Sequence, residues 1–221
     1  YQYVTQKAAQ FLQQPLESLK IIACHLGTGG SSVTAIAGGR SQETSMGYSP
    51  LPGLIMSTRS GDFDPAILLT LIEKQGYSAA ELNRILNKES GLLGISGASS
   101  DLFELVHLAG EKENQRARLA VEMYVHRLKS YIGAYIAVLG GLDVLIFTDD
   151  LGVKLWQVRQ AVCQGMEYCG MHLDRLANQQ AAIDRLVLVS ERDSRVKILA
   201  IPTDEEVVIA QEGLKLMVSS S

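Results

Sequence analysis

No apolar run in this sequence reaches the roughly 18 residues that a helix needs to cross a bilayer. Tyr1-Gln2-Tyr3-Val4-Thr5 supplies neither the basic stretch nor the apolar stretch of a secretory signal, so no membrane partner is expected. Cysteine is scarce: Cys24, Cys163 and Cys169 are odd in number and form no CxxC pair. That excludes a disulfide framework and a zinc ribbon, and it implies reduced thiols and a cytoplasmic setting. Positive charge is not in excess, with 20 Lys and Arg against 24 Asp and Glu, so no nucleic-acid partner is expected. No methionine stands at position 1, and the chain is expected to begin inside a longer protein. What is present is apolar residue: 47% of 221, enough for the core of one domain or two small ones.

Apolar spacing predicts a helix over 3–13, stopped by Pro15. Ile21 to Cys24 and Val33 to Ala37 read as strands around a glycine-rich turn, and Arg40 to Met46 as a third strand. Residues 47–65 hold three of the five prolines and read as an irregular loop. Helical spacing returns at 66–74 and 79–86, and Ser90 to Ser100 reads as a second Gly/Ser-rich loop. A long helix is expected over 113–139, where Tyr124, Tyr131 and Tyr135 form a stripe that is read as core rather than surface. Leu142 to Phe147 reads as a buried strand. Then come a helix over 155–168, strands over 186–189 and 196–201, and a closing helix over 205–216. Strands that first pair through tight turns and later alternate with helices imply an α/β domain with a mixed sheet.

The turn His25-Leu26-Gly27-Thr28-Gly29-Gly30-Ser31-Ser32 is the first candidate site. Small residues leave backbone N–H groups uncovered, and such concavities bind anions, phosphate above all. The alternative is a plain hairpin turn. The turn is not GxxxxGK[ST] and joins two strands, which excludes a P-loop NTPase.

Five segments resemble, in order, motifs of the acetate kinase family. His25 to Ser31 resembles its HLGNGAS phosphate loop, and Thr44-Ser45-Met46-Gly47-Tyr48-Ser49-Pro50-Leu51 its TSMGFTPL. Met56-Ser57-Thr58-Arg59-Ser60-Gly61-Asp62-Phe63-Asp64-Pro65 resembles MGTRxGDxDP, and Asn87 to Gly97 resembles NKxSGLLGISG. Ile201-Pro202-Thr203-Asp204-Glu205-Glu206 resembles IPTNEE. The resemblance implies an actin-like ATPase domain of ribonuclease H-like fold over residues 21–221. Residues 1–20 would be an inter-domain helix, and a separate amino-terminal domain would be absent.

It also implies reversible phosphoryl transfer between ATP and acetate, giving acetyl phosphate and ADP, with Mg²⁺ as cofactor and a homodimer as assembly. Arg59 and His25 would be the catalytic residues. His25, Gly27, Thr28, Gly29, Gly30, Asp101, Asp150 and Gly152 would contact phosphate or nucleotide, and Glu205 would hold the metal. A guanidinium suits the transferring phosphoryl because its planar fork donates two parallel hydrogen bonds. The alternative for Arg59 is a structural salt bridge to Asp62 or Asp64. For Glu205 it is an acidic helix start. The catalytic aspartate and most of the carboxylate pocket would come from the amino-terminal half, so residues 1–221 alone are expected not to turn over.

The sequence departs from the family at three points. Thr28 replaces an asparagine. Phe103 replaces the arginine of the SSDMR segment, here Ser99-Ser100-Asp101-Leu102-Phe103. Asp150-Leu151-Gly152-Val153-Lys154 replaces the glycine-rich GIGEN loop, with Asp149 adding a second carboxylate. The last two fall on the adenosine side. His25 to Ser32, taken with Phe147 to Asp149, Gly152 and Trp156-Gln157-Val158-Arg159, also resembles a branch that uses pyrophosphate and phosphate in place of ATP and ADP. The rival class is a non-catalytic phosphate-binding or dimerisation module.

Overall fold

A computed structural model of the protein describes residues 1–111, 114–204, 206 and 209. Its centre is one six-stranded mixed sheet. The strands are β1 (Lys20–Gly27), β2 (Gly30–Ala37), β3 (Arg40–Thr44), β4 (Val144–Thr148), β5 (Val187–Leu188) and β6 (Lys197–Ile201), in the order β3-β2-β1-β4-β6-β5. β1, β2 and β3 are antiparallel neighbours, while β1, β4 and β6 run parallel. The helices are α1 (Gln2–Leu12), α2 (Ala66–Gln75), α3 (Ala79–Arg84), α4 (Gly91–Ser96), α5 (Leu102–Ala109), α6 (Gln115–Leu139), α7 (Asp149–Lys154), α8 (Trp156–Cys163) and α9 (Arg175–Gln179).

The side-chain alternation of the central strands builds a core on each face of the sheet. Ile22, Cys24 and Leu26 of β1, Leu145 and Phe147 of β4, and Ile198 and Ala200 of β6 point to one side. There they meet the α6 stripe of Ala120, Tyr124, Leu128, Ile132 and Tyr135, spaced three or four apart. Ile21, Ala23, Val144, Ile146, Leu199 and Ile201 point the other way, onto Val4, Ala8 and Ala9 of α1. So α1 packs into this domain's own second layer. The tyrosine stripe is core at Tyr124 and Tyr135, while Tyr131 is half-buried.

Asn114 caps α6, its side chain accepting from the Ala117 N–H at 3.0 Å, and Gly140 ends the helix at φ 63°. Several elements differ from the sequence reading, among them α5 and α9, which it does not contain. β1 and β2 extend into the glycine segment until only Thr28 and Gly29 remain as the turn, because Gly27 and Gly30 still pair in register. Within 90–100, α4 forms because Leu92 and Ile95 anchor a turn against the core. Asp149–Lys154 is helical rather than a loop. The helix after it stops at Cys163, before Gly165 at φ 77°. Of the expected closing helix, only residues 206 and 209 are described.

All three thiols are free and buried. Burial pushes the Cys24 thiol up and the Cys163 thiol up to about 12. A raised thiol pKa leaves little thiolate at pH 8, and the thiolate is the reactive form. The folded chain is therefore expected to react with a soluble disulfide reagent at least a hundredfold more slowly than the urea-unfolded chain. Fast modification of one thiol in the folded state would contradict this burial.

Candidate active site

The carboxyl ends of β1 and β4 meet at the β1–β2 hairpin, and this corner carries the polar groups. His25 lies opposite Ser32 of β2 and Thr148 of β4. Its Nε2 is 3.1 Å from Asp149 Oδ2, which sets a carboxylate against the imidazole. The edge of the Tyr1 ring faces the imidazole at 6.4 Å, and the Tyr1 hydroxyl shares a 2.6 Å hydrogen bond with Ser32 Oγ. Burial pushes the Tyr1 phenol pKa up. Tyr1, His25, Ser32, Thr203 and Asp204 line a cleft of about 490 Å³.

The turn itself is gripped from two sides. The Thr28 N–H donates to Asp150 Oδ1 at 3.1 Å, and the Thr28 carbonyl accepts from Ser57 Oγ at 3.0 Å. Asp150 Oδ1 also accepts from the Leu151 N–H at 2.8 Å. Gly27 is required by contact: a Cβ there would lie 2.2 Å from Asp149 Oδ2. A Cβ on Gly30 would lie 3.0 Å from the Arg59 guanidinium, which places Arg59 directly over the hairpin. Gly29 faces open space.

Arg59 sits on a loop that is clamped through its backbone. The Ser60 N–H donates to Leu86 O at 3.0 Å, Ser90 N–H to Thr58 O at 3.0 Å, Leu92 N–H to Met56 O at 2.9 Å and Leu93 N–H to Ser57 O at 3.0 Å. The approach is close enough that Gly91, at φ 62°, would place a Cβ 2.2 Å from Met56 O. Gly91→Ala is expected to cost about 2–3 kcal/mol, from the left-handed strain plus the backbone clash. Urea unfolding measures it, and a loss under about 0.5 kcal/mol would show that the clamp yields freely.

The salt-bridge alternative for Arg59 is not realised. Asp62 accepts from the Gly53 N–H at 2.8 Å and the Tyr131 hydroxyl at 2.5 Å, and lies 3.7 Å from Arg127. Asp64 lies just before α2 and accepts from the Ala66 N–H at 2.9 Å. The polar contact of the Arg59 guanidinium is Met56 Sδ at 3.7 Å, and no carboxylate pairs with it among the described residues.

The structure brings His25, Gly27, Thr28, Gly30, Arg59 and Asp150 together. It holds the other named residues differently. Asp101 is the N-cap of α5, accepting from the Phe103 N–H at 2.9 Å. Gly152 is buried, and its carbonyl accepts from Arg159 at 2.8 Å. Its missing side chain lets α7 pack on β4, since a Cβ would meet Phe147 at 3.3 Å. Glu205 lies outside the described residues. For Mg²⁺, no three carboxylate, imidazole or thiol groups converge among the described residues. The described residues alone do not make that site.

The sequence reading names two residues without the side-chain partners the structure gives them. Asp149 is one, a non-glycine residue at φ 67°. Arg159 is the other, 1% exposed, with Nε donating to Asn178 Oδ1 at 2.7 Å, Nη1 to Gly152 O and Val153 O at 2.8 and 2.5 Å, and Nη2 to Asn178 O at 3.0 Å. It ties α7, α8 and α9 together. An arginine one residue from the apolar spacing Val158–Val162 was the available signal.

The sheet order and its helical layers make this an actin-like ATPase domain, with Arg59 set over its hairpin corner. The Acetokinase family model matches residues 1–211. The chain is 48% identical over 217 residues to an acetate kinase of Moorella thermoacetica, covering 98% of this chain and 54% of that protein. The crystal structure of Porphyromonas gingivalis acetate kinase superposes with a TM-score of 0.92 at 40% identity, over 98% of this chain and 53% of that one. A propionate kinase from Francisella tularensis superposes with a TM-score of 0.86 at 36% identity, over 96% and 52%. The chain belongs to the acetokinase family. It spans about half the length of the relatives it matches. These relatives bear the names of acetate and propionate kinases, and nothing in them favours pyrophosphate as donor; that reading of 147–159 is not upheld.

Proposed function

We propose that this chain is the carboxyl-terminal half of a short-chain carboxylate kinase that moves a phosphoryl group reversibly between ATP and acetate, giving acetyl phosphate and ADP. The observation that carries the proposal is a guanidinium without a carboxylate partner among the described residues, fixed over a glycine hairpin beside His25. Phosphoryl transfer asks little covalent help of the protein and much positioning and charge stabilisation. In this reading Arg59 faces the equatorial oxygens of the transferring phosphoryl, where charge spreads in the transition state. His25 donates to the same group. Gly27, Thr28, Gly29 and Gly30 admit a phosphate against backbone.

Asp101 and Gly152 keep their proposed place on the nucleotide side through the resemblance alone. Glu205 is the proposed Mg²⁺ ligand, an oxygen donor of the kind that ion prefers. A cytoplasmic setting fits the three unpaired thiols. No helix of the described residues is long and apolar enough to cross a membrane. A homodimer is supported by α2, whose Ile67, Leu69 and Ile72 are exposed and whose residues are nowhere buried.

The test is ³¹P NMR of the full-length protein with acetyl phosphate, ADP and Mg²⁺. The β-phosphate of ATP is expected to appear at the expense of acetyl phosphate. A folded protein that leaves both resonances unchanged overturns the proposal. The 221 residues alone are expected to give no ATP.

A further inference from the structure

The two side chains of one dipeptide occupy two donors of the hairpin corner. Asp149 Oδ2 lies 3.1 Å from His25 Nε2, and Asp150 Oδ1 accepts from the Thr28 N–H at 3.1 Å. A carboxylate against an imidazole nitrogen and another on a turn N–H occupy the places that phosphate oxygens would take there. Asp149 adopts φ 67°, a left-handed conformation that is uncommon outside glycine and most open to Asp and Asn. Room for its carboxylate exists because residue 27 is glycine, with the absent Cβ 2.2 Å from Asp149 Oδ2.

We propose that Asp149 and Asp150 are an internal anion that fills the phosphate-binding corner before ligand arrives and sets its affinity for phosphate. The proposal rests on the reading of this corner as a phosphate site. A phosphate and these two carboxylates cannot share the same donors, and their like charges repel at contact distance. Phosphate therefore enters by displacing the carboxylates from His25 and Thr28. Removing their charge, with shape preserved, strengthens phosphate binding. Asparagine is the apt replacement, since it is isosteric and tolerates the left-handed conformation at 149.

The experiment is calorimetric titration of inorganic phosphate into the chain, its D149N/D150N variant, an Asp184→Asn variant as a remote exposed-charge control, and each with Arg59→Ala. The expected result is at least a tenfold lower Kd for D149N/D150N, a change within twofold for Asp184→Asn, and loss of binding with Arg59→Ala. Arg59-dependent binding of equal strength in the chain and in D149N/D150N overturns the inference and leaves the phosphate site standing. Absence of phosphate binding in every variant overturns both. Should D149N/D150N fail to fold, ¹⁵N–¹H spectra of the unsubstituted chain decide. The Thr28 amide and the His25 imidazole shift together as phosphate is added if the carboxylates are displaced. If phosphate binds and both resonances stay fixed, the inference falls.

Discussion

Arg59→Ala in the full-length protein is expected to lower kcat about a thousandfold while moving the thermal midpoint by no more than a degree or two. The two halves of this result have different causes. Transition-state charge on a transferring phosphoryl is neutralised by few groups, and removal of an arginine that faces it costs about 10³ or more in rate. Stability is spared because Arg59 makes no ion pair among the described residues and its loop is held by backbone hydrogen bonds, Leu92 to Met56 and Ser90 to Thr58 among them. Arg59→Lys is expected to recover less than tenfold of the loss, because an ammonium lacks the planar fork. Steady-state kinetics and calorimetry on the same preparations measure both halves. A thousandfold loss accompanied by a large drop in thermal midpoint would assign Arg59 to structure instead.

Arg159→Leu is expected to do the reverse, lowering the stability of the chain by about 4 kcal/mol. The guanidinium is buried and no carboxylate pairs with it among the described residues; burial holds its pKa down at about 10, so it remains protonated at neutral pH. What it satisfies is a set of acceptors: Gly152 O, Val153 O, Asn178 O and Asn178 Oδ1. Leucine fills much of the volume but leaves these acceptors without their donor, and each buried orphan costs roughly 1–3 kcal/mol. Partial relaxation and water entry keep the sum near the lower end. The loss is read from the urea midpoint at constant slope. A cost below about 1 kcal/mol would show that α7, α8 and α9 hold together without this network.

The reach of the sequence can be judged residue by residue. β1, β4 and β6 were legible because buried strands are short runs of apolar residues, and Ile21 to Cys24, Leu142 to Phe147 and Val196 to Ile201 are such runs. The α6 stripe was legible because its spacing holds over 25 residues. α4 was not, since its glycines and serines hide a turn that the Leu92 contact creates. Gly27, Thr28, Gly30 and Arg59 were singled out one by one, yet their meeting is a property of the tertiary clamp around Gly91. Asp149 was unreadable as a partner of His25, because the bond depends on a left-handed backbone that no local propensity announces. Asp101 reads equally well as a nucleotide ligand and as an N-cap, and capping is the role its hydrogen bond serves here. The alternative salt bridge of Arg59 does not form because Asp62 and Asp64 are already engaged by Tyr131 and by the start of α2.

The central claim is that this corner handles a phosphoryl group on its way to a carboxylate. Trapping with hydroxylamine tests it most directly. The full-length protein is given acetate, ATP and Mg²⁺, and any acyl phosphate formed is converted to a coloured hydroxamate. Hydroxamate is expected to require acetate and ATP together and to fall about a thousandfold in Arg59→Ala. A folded, full-length protein that yields none, or one whose yield is indifferent to Arg59, would contradict it.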